Sequence, residues 1–237
     1  MKCVILCGGK GYRLREETEF RPKPLVPVGR MPILWHIIEQ YRKFGVNHFV
    51  LATGYKGAMI RDWTLVAGQW NYCKGAQLEC IDTGEEATTG GRIRLIEPLV
   101  HGETFHLTYG DGLGNVNIQA LTDFHTACKP TVTLTAVQPP SKFGELTMSD
   151  FTNRILSFNE KPMTSRFING GFMVCSPKVF DYLPKDEPFE RVPMEAIVGN
   201  REAVAYRHHG FWHAMDTYAD YLELNALWEK GDAPWTV

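Results

Sequence analysis

Apolar residues fall along this chain in two alternating rhythms. Short unbroken runs at Lys2 to Cys7, His48 to Thr53, Gln77 to Asp82, Thr104 to Tyr109 and Thr131 to Val137 are strand-sized, and the last is rich in β-branched residues. Between the first two runs, Ile33, Leu34, Ile37, Ile38, Tyr41 and Phe44 recur at helical spacing. Pro32 stands where a first helical residue is expected and Gly45 supplies the stop. Met59 to Val66 and Ile118 to Ala127 read as further helices. Strand and helix alternate through residue 137, which predicts parallel strands joined by right-handed crossovers. In open sheets of that kind ligands gather at the carboxyl ends of the strands, where Gly8-Gly9 and Asp111 both fall.

After Pro139-Pro140 the rhythm shortens. Strands are expected around Gly144 to Met148, Ile155 to Glu160 and Gly171 to Val174, and helices near Pro193 to Val198 and Tyr218 to Lys230. The expected fold class is α/β: a Rossmann-like mixed, mainly parallel sheet flanked by helices, with a smaller antiparallel extension or mixed sheet edge. No low-complexity linker and no repeat of 20 to 50 residues divides the chain, so residues 1–237 are read as one domain whose second half helps to bind substrate.

Composition narrows the picture. The 237 residues are 44% hydrophobic and 22% charged, which excludes disordered, collagen-like and coiled-coil classes. A formal charge of −2 offers no field to hold a nucleic-acid backbone, so no nucleic-acid partner is expected. No run reaches the roughly 18 apolar residues of a membrane helix, and the start lacks the pattern of a secretory signal, so no membrane partner is expected. Six cysteines without a C-x-x-C pair fit buried thiols in a reducing, cytoplasmic setting.

The candidate chemistry begins at Gly8-Gly9-Lys10-Gly11-Tyr12-Arg13-Leu14, a glycine turn whose N–H groups can face an anion. It is not a dinucleotide fingerprint: counted from Gly9, the third glycine is Leu14, and the second strand ends in Thr53 instead of an acid. Nor does Gly-Lys-Ser/Thr follow at P-loop spacing. Arg13 lies two residues beyond the last glycine, and Lys23 sits in Arg21-Pro22-Lys23-Pro24, where flanking prolines are expected to hold it extended. Arg13 and Lys23 are either an anion clamp or ordinary surface cations. Asp111 is either a turn-former or a metal ligand, and Asp216 either caps the final helix or joins Asp111 at a metal.

The order of several motifs decides among these. The glycine turn, Lys23 between prolines, Tyr109-Gly110-Asp111, Glu160-Lys161-Pro162, Asn169-Gly170-Gly171 and Met215-Asp216-Thr217 together resemble the sugar-1-phosphate nucleotidyltransferases. Thr89-Gly90-Gly91-Arg92, Gly54-Tyr55-Lys56-Gly57 and Leu227-Trp228-Glu229-Lys230-Gly231 resemble the branch of that family that uses CTP. The resemblance runs nearly end to end and implies the nucleotidyltransferase fold, with residues 1–137 as the nucleotide-binding half and 138–237 as the sugar-phosphate-binding half.

It also implies that a sugar 1-phosphate attacks the α-phosphorus of CTP, giving a CDP-sugar and pyrophosphate. By that resemblance Leu6, Gly8, Gly9, Gly11 and Gly110 cradle the nucleotide, Thr89, Gly90, Gly91 and Arg92 approach the base or triphosphate mostly through backbone groups, Arg13 steadies pyrophosphate and Lys23 neutralises the reacting phosphates. Arg13, Lys23 and Asp111 are the expected catalytic groups, with Asp111 and Asp216 holding Mg²⁺. Glu160, Lys161, Asn169 and Gly170 are expected to hold the sugar phosphate, and a homo-oligomer is expected. Two departures stand out. The segment between Trp63 and Asp82 is shorter than the cytidylyl branch carries, and Lys10 and Tyr12 replace a small apolar residue and a threonine in the turn.

Overall fold

The computed structural model describes residues 1–100 and 102–236. Its first half follows the apolar rhythm closely. Strand β1 (Cys3–Leu6) is buried throughout and ends in the glycine turn. A short helix α1 (Arg15–Thr18) precedes a small antiparallel pair, β2 (Pro27–Val28) with β3 (Met31–Pro32). That pair explains why Pro32 is extended, at φ −63° and ψ 151°, and caps helix α2 (Ile33–Arg42) instead of being its first residue. β4 (His48–Thr53), α3 (Gly57–Gln69) and β5 (Gln77–Asp82) follow, the helix extending beyond the expected Met59 to Val66 at both ends.

Next come α4 (Thr89–Leu95), α5 (Glu97–Val100), β6 (Phe105–Tyr109), β7 (Gly112–Gly114), α6 (Ile118–Cys128) and β8 (Val132–Val137). The last third contributes the hairpin β9 (Glu145–Met148) and β10 (Ile155–Asn159), then β11 (Ile168–Asn169), β12 (Met173–Cys175), α7 (Val192–Gly199), β13 (Ala203–Arg207), β14 (Trp212–Ala214) and α8 (Tyr218–Glu229).

The main sheet runs β11-β8-β12-β6-β1-β4-β5, with β13 paired to β8. β1 is parallel to both β4 and β6, and β4 is parallel to β5, as strand-helix alternation requires. The expected antiparallel element at a sheet edge is placed otherwise: β12 lies inside the sheet, antiparallel to both β6 and β8. The hairpin β9–β10 is a separate two-stranded extension, exposed at every position. β13, which the sequence pattern did not announce, runs parallel to β8.

Period-two alternation divides each central strand between two cores. On one face Cys3 and Ile5 of β1 and Phe49 and Leu51 of β4 pack with Ile33, Leu34, Ile37 and Tyr41 of α2. On the other, Val4, Leu6, Val50 and Ala52 pack with Ile93, Leu107, Phe189 and Ile197. Each fully buried Val, Leu, Ile or Phe side chain among these contributes about 1.5–3 kcal/mol, so the strand ends that carry the glycine turn and Asp111 are rigidly placed. Among the described residues, no helix is long and apolar enough to cross a membrane.

Candidate active site

The glycine turn leaves β1 at its carboxyl end, and Gly8 and Gly11 each have a steric reason of their own. A Cβ on Gly8 would come within 2.1 Å of the Arg92 guanidinium. Gly11 has a left-handed φ of +65°, and a Cβ there would approach Thr18 Cγ2 to 2.8 Å. Gly9 meets nothing within 4 Å, and its bare backbone lines a cavity of about 670 Å³. Cys7, at the base of the turn, is buried, and burial raises its thiol pKa, so it stays a protonated filler.

Two acids far apart in sequence meet at the edge of this cavity through a pair of short strands, Asp111 within its lining and Asp216 just outside it. β7 follows Asp111 and β14 precedes Met215, and they pair antiparallel with Gly112 opposite Ala214. The Met215 N–H therefore donates to the Asp111 carbonyl at 2.9 Å, which brings Asp216 beside Asp111. Gly110 anchors the other end, its N–H donating to the Leu6 carbonyl at 3.1 Å; a Cβ there would stand 3.0 Å from that carbonyl and from Pro24 Cγ. Asp216 is not the cap of α8. Thr217 fills that position in a capping box with Asp220, whose Oδ2 also accepts the Asp216 N–H at 3.1 Å.

Lys23 joins the two acids. Its Nζ lies 2.6 Å from Asp111 Oδ2 and 2.8 Å from Asp216 Oδ1, and Arg13 Nη2 lies 3.0 Å from the same Asp216 oxygen. Burial by itself lowers the Lys23 pKa, but the two carboxylates outweigh it and the net shift is upward. The lysine is not extended as expected. Pro22 is the extended residue, and Lys23 opens a 3₁₀ turn over Lys23–Leu25 closed by N–H bonds from Leu25 to Pro22 and from Val26 to Lys23.

Leu6, Gly8, Gly9, Gly11, Arg13, Lys23, Thr89, Arg92, Gly110 and Asp111 all line the one cavity. Gly90 and Gly91 do not: they open α4 and are packed so tightly against the 186–187 segment that a Cβ would meet the Glu187 carbonyl at 2.2 Å or Asp186 Oδ1 at 2.0 Å. Arg92 is buried and spends its guanidinium on protein. It donates to the carbonyls of Gly8, Thr53, Gly84 and Glu85 and to Thr83 Oγ1, at 2.5–3.2 Å, fastening the turns after β1, β4 and β5 to one another.

The predicted sugar-phosphate residues are placed less uniformly. Asn169 Nδ2 donates to Tyr109 Oη at 3.3 Å, and Tyr109 lines the cavity. The Gly170 carbonyl accepts the Trp212 indole N–H at 2.7 Å. Glu160 and Lys161 are exposed at the foot of the β9–β10 hairpin, outside the cavity lining, and Lys161 is left-handed at φ 47°. Lys142, three residues before β9, stands 3.7 Å from Asp220 Oδ2 of the α8 capping box. Sequence reasoning missed Glu86, Thr88, Pro188 and Glu190, which also line the cavity. Tyr109 was in a quoted motif, but Glu190 carries no local pattern; only the fold brings it to Tyr109.

The arrangement brings together backbone N–H groups from the turn after β1, two cations, and two carboxylates that follow β6 and β14. Among the described residues no cluster of three His, Cys, Asp or Glu side chains could cage a metal. Two hard oxygen donors already within reach of one cationic centre nevertheless suit a divalent ion that takes its remaining ligands from substrate phosphates and water.

A nucleotidyl transferase family model matches residues 2–231. The chain is 42% identical, over the whole of both sequences, to a Bacillus subtilis protein named probable glucose-1-phosphate cytidylyltransferase. It is 39% identical to glucose-1-phosphate cytidylyltransferase of Salmonella typhi, over 99% of this chain and 98% of the relative. A solved UDP-glucose pyrophosphorylase bound to UDP-glucose superposes with a TM-score of 0.74 at 17% identity, over 97% of this chain and 98% of that one, and HddC from Yersinia pseudotuberculosis with 0.71 at 20%, over 96% and 99%. Matched over nearly its full length and with its two acids and two cations gathered in one cluster, the chain belongs to the nucleotidyl transferase family, whose members work with a divalent metal.

Proposed function

We propose that the protein transfers a cytidylyl group from CTP to glucose 1-phosphate, giving CDP-glucose and pyrophosphate. A phosphate oxygen of the sugar phosphate attacks the α-phosphorus of CTP, and the bond from that phosphorus to the bridging oxygen of pyrophosphate breaks. The observation that carries this reading is the meeting of Asp111, Asp216, Lys23 and Arg13 beside the open face of Gly9. The choice of CTP and glucose 1-phosphate is supported by relatives of that name at 39–42% identity.

Attack by one anion on another is limited by repulsion and alignment, so the protein's work is to supply positive charge and fix geometry. The N–H groups of Gly8 to Gly11 and the Arg13 guanidinium hold the triphosphate, and Arg13 steadies the departing pyrophosphate. Lys23, buried and kept protonated by its carboxylates, offsets charge where the two phosphates meet. Asp111 and Asp216 would hold Mg²⁺, which would supply Lewis-acid charge to the phosphate oxygens. Asn169 and Gly170, with Glu160 and Lys161 from the hairpin side, hold the sugar phosphate. Thr89 lines the base side; Gly90, Gly91 and Arg92 serve the nucleotide by fixing the walls it rests on.

Incubation with CTP, glucose 1-phosphate and Mg²⁺ is expected to release pyrophosphate, faster with CTP than with UTP, dTTP or GTP, and chelation by EDTA to stop it. Lys23→Ala and Asp111→Asn should each lower kcat by about 10²–10³. No turnover with any pairing of nucleotide and sugar 1-phosphate would overturn the reading, and full activity in both variants would overturn the assigned roles.

A further inference from the structure

Three acids line the cavity beside the glycine turn, and two of them are neutralised. Asp111 is paired with Lys23 at 2.6 Å and Glu86 with Lys10 at 2.5 Å. Glu190 has no cationic partner among the described residues. Its carboxylate is instead held by two hydroxyl donors: Oε2 accepts from Thr89 Oγ1 at 2.6 Å and Oε1 accepts from Tyr109 Oη at 2.7 Å. Its backbone is fixed as well, because the ring of Phe189 is buried and the Phe189 N–H donates to Thr89 Oγ1 at 2.9 Å. Burial and the neighbouring carboxylate raise the Tyr109 phenol pKa, so it remains a donor.

A carboxylate has about four acceptor positions, and these contacts use two. The others face a cavity proposed to receive two phosphorylated substrates. A bare negative charge repels phosphate, so the group that comes to rest on it must be a neutral hydrogen-bond donor. Tyr109 immediately precedes Gly110 and Asp111, the point where phosphoryl transfer is proposed. Its other partner, Asn169, lies on β11, which the sheet order puts beyond β6, away from the glycine turn and from β4 and β5. The Thr89–Glu190–Tyr109–Asn169 chain therefore runs from the base side at Thr89 to the part of the cavity that continues past Asp111, and Glu190 turns one oxygen to each end.

We propose that Glu190 is a specificity-determining residue that accepts hydrogen bonds from hydroxyl groups of the hexose, with Thr89 and Tyr109 holding it in place. The inference rests on the reading of the cavity as a nucleotidyl-transfer site and deepens it. Glu190 is exposed in the open cavity; a hexose seated on it would take it out of water, so an analogue lacking the hydroxyl would leave the acceptor unpaired and be rejected.

The test compares wild type with Glu190→Gln, which keeps size but replaces one acceptor oxygen by a donor, and with Tyr109→Phe, which removes one of the groups that orients it. KM for glucose 1-phosphate is expected to rise about tenfold or more in Glu190→Gln, with KM for CTP within about twofold of wild type. Across the monodeoxy glucose 1-phosphates, wild type should reject at least one by tenfold or more in kcat/KM, and Glu190→Gln should lose that preference. Tyr109→Phe should move both readouts the same way by less, and it replaces Glu190→Gln should the latter fail to fold.

A rise confined to KM for CTP would place Glu190 against the ribose or base and overturn the proposal. Unchanged constants and an unchanged deoxysugar profile would overturn it equally. Calorimetric binding of glucose 1-phosphate to wild type and variant reads the same contact without turnover. An enzyme that binds the sugar phosphate through Glu190 but makes no CDP-glucose would therefore defeat only the functional reading.

Discussion

Arg92 shows how one side chain can be visible in a motif while its purpose is not. Thr89-Gly90-Gly91-Arg92 is readable as a distinctive word, and its resemblance points towards the nucleotide. In the fold the guanidinium turns inward and donates to four carbonyls and a hydroxyl from three separate turns, and two of the glycines serve the packing of the 186–187 segment. Those acceptors are up to 84 positions away in sequence, so no local pattern could announce them. Hydrogen bonds to a charged donor contribute about 1.5–3 kcal/mol each, less than additively when shared. Arg92→Met is expected to cost about 3 kcal/mol or more, a fall in Tm of roughly 6–12 °C for a chain of this size. Because the turn after β1 loses its brace, KM for CTP should rise as well. A variant that melts like wild type would show that the backbone of the three turns holds itself.

Single elements were legible in proportion to how local their causes are. α2, β4, β5 and β8 follow from spacing and punctuation within their own residues, and the structure places them within a residue or two of expectation, Phe44 and Gly45 excepted because α2 ends at Arg42. β7 and β14 have only three residues each and no apolar rhythm; they exist because they pair with one another, and that pairing sets Asp216 beside Asp111. The same holds for α4, whose start depends on Thr88 capping and on Asp186 from another part of the chain. At α8 the capping box does two things at once: Thr217 Oγ1 accepts the Asp220 N–H, while Asp220 Oδ2 accepts the N–H groups of Thr217 and Asp216. Thr217→Ala should cost about 1 kcal/mol as an N-cap loss, or roughly 2–4 °C in Tm. It should lower kcat several-fold more than so small a change in stability explains, since Asp216 loses part of its support. Thr217→Ser should restore both, and a kcat that tracks Tm alone would confine the box to helix stability.

At the scale of the whole molecule, histidines with lowered pKa values set how the fold answers acid: His36, His106 and His125 are buried and His208 half-buried, and the first two are shifted furthest. His36 on α2 is neutral with both nitrogens engaged: Nε2–H donates to the Val28 carbonyl at 2.9 Å, and Nδ1 accepts the Trp235 indole N–H at 3.2 Å, so the ring links the first core helix to the end of the described chain. His106 on β6 is equally buried against Tyr41, and its Nδ1 has no partner. Burial lowers both pKa values from an ordinary 6.5 to about 4. Between those limits the unfolded chain binds protons that the folded chain refuses, so stability rises with pH across that window and falls as pH drops through it. Each group contributes a slope of up to about 1.4 kcal/mol per pH unit, together about 2.7. The carboxylates of Asp220 and Asp186, whose pKa values are lowered in the fold, act in a different window: their contribution is present above the ordinary carboxylate range and is lost only at lower pH still. Urea unfolding followed by tryptophan fluorescence should therefore give a midpoint that is flat above pH 7 and declines steeply from about 6.5 towards 5, before the carboxylates titrate. The double variant His36→Gln, His106→Gln should start lower, having lost the Trp235 acceptor and some packing, yet decline much less over the same range, the remaining slope coming from His125 and His208, whose pKa values burial also lowers. Parallel declines in the two proteins would move the acid response away from these two rings, and its sensitivity to salt would then separate surface groups from buried His125.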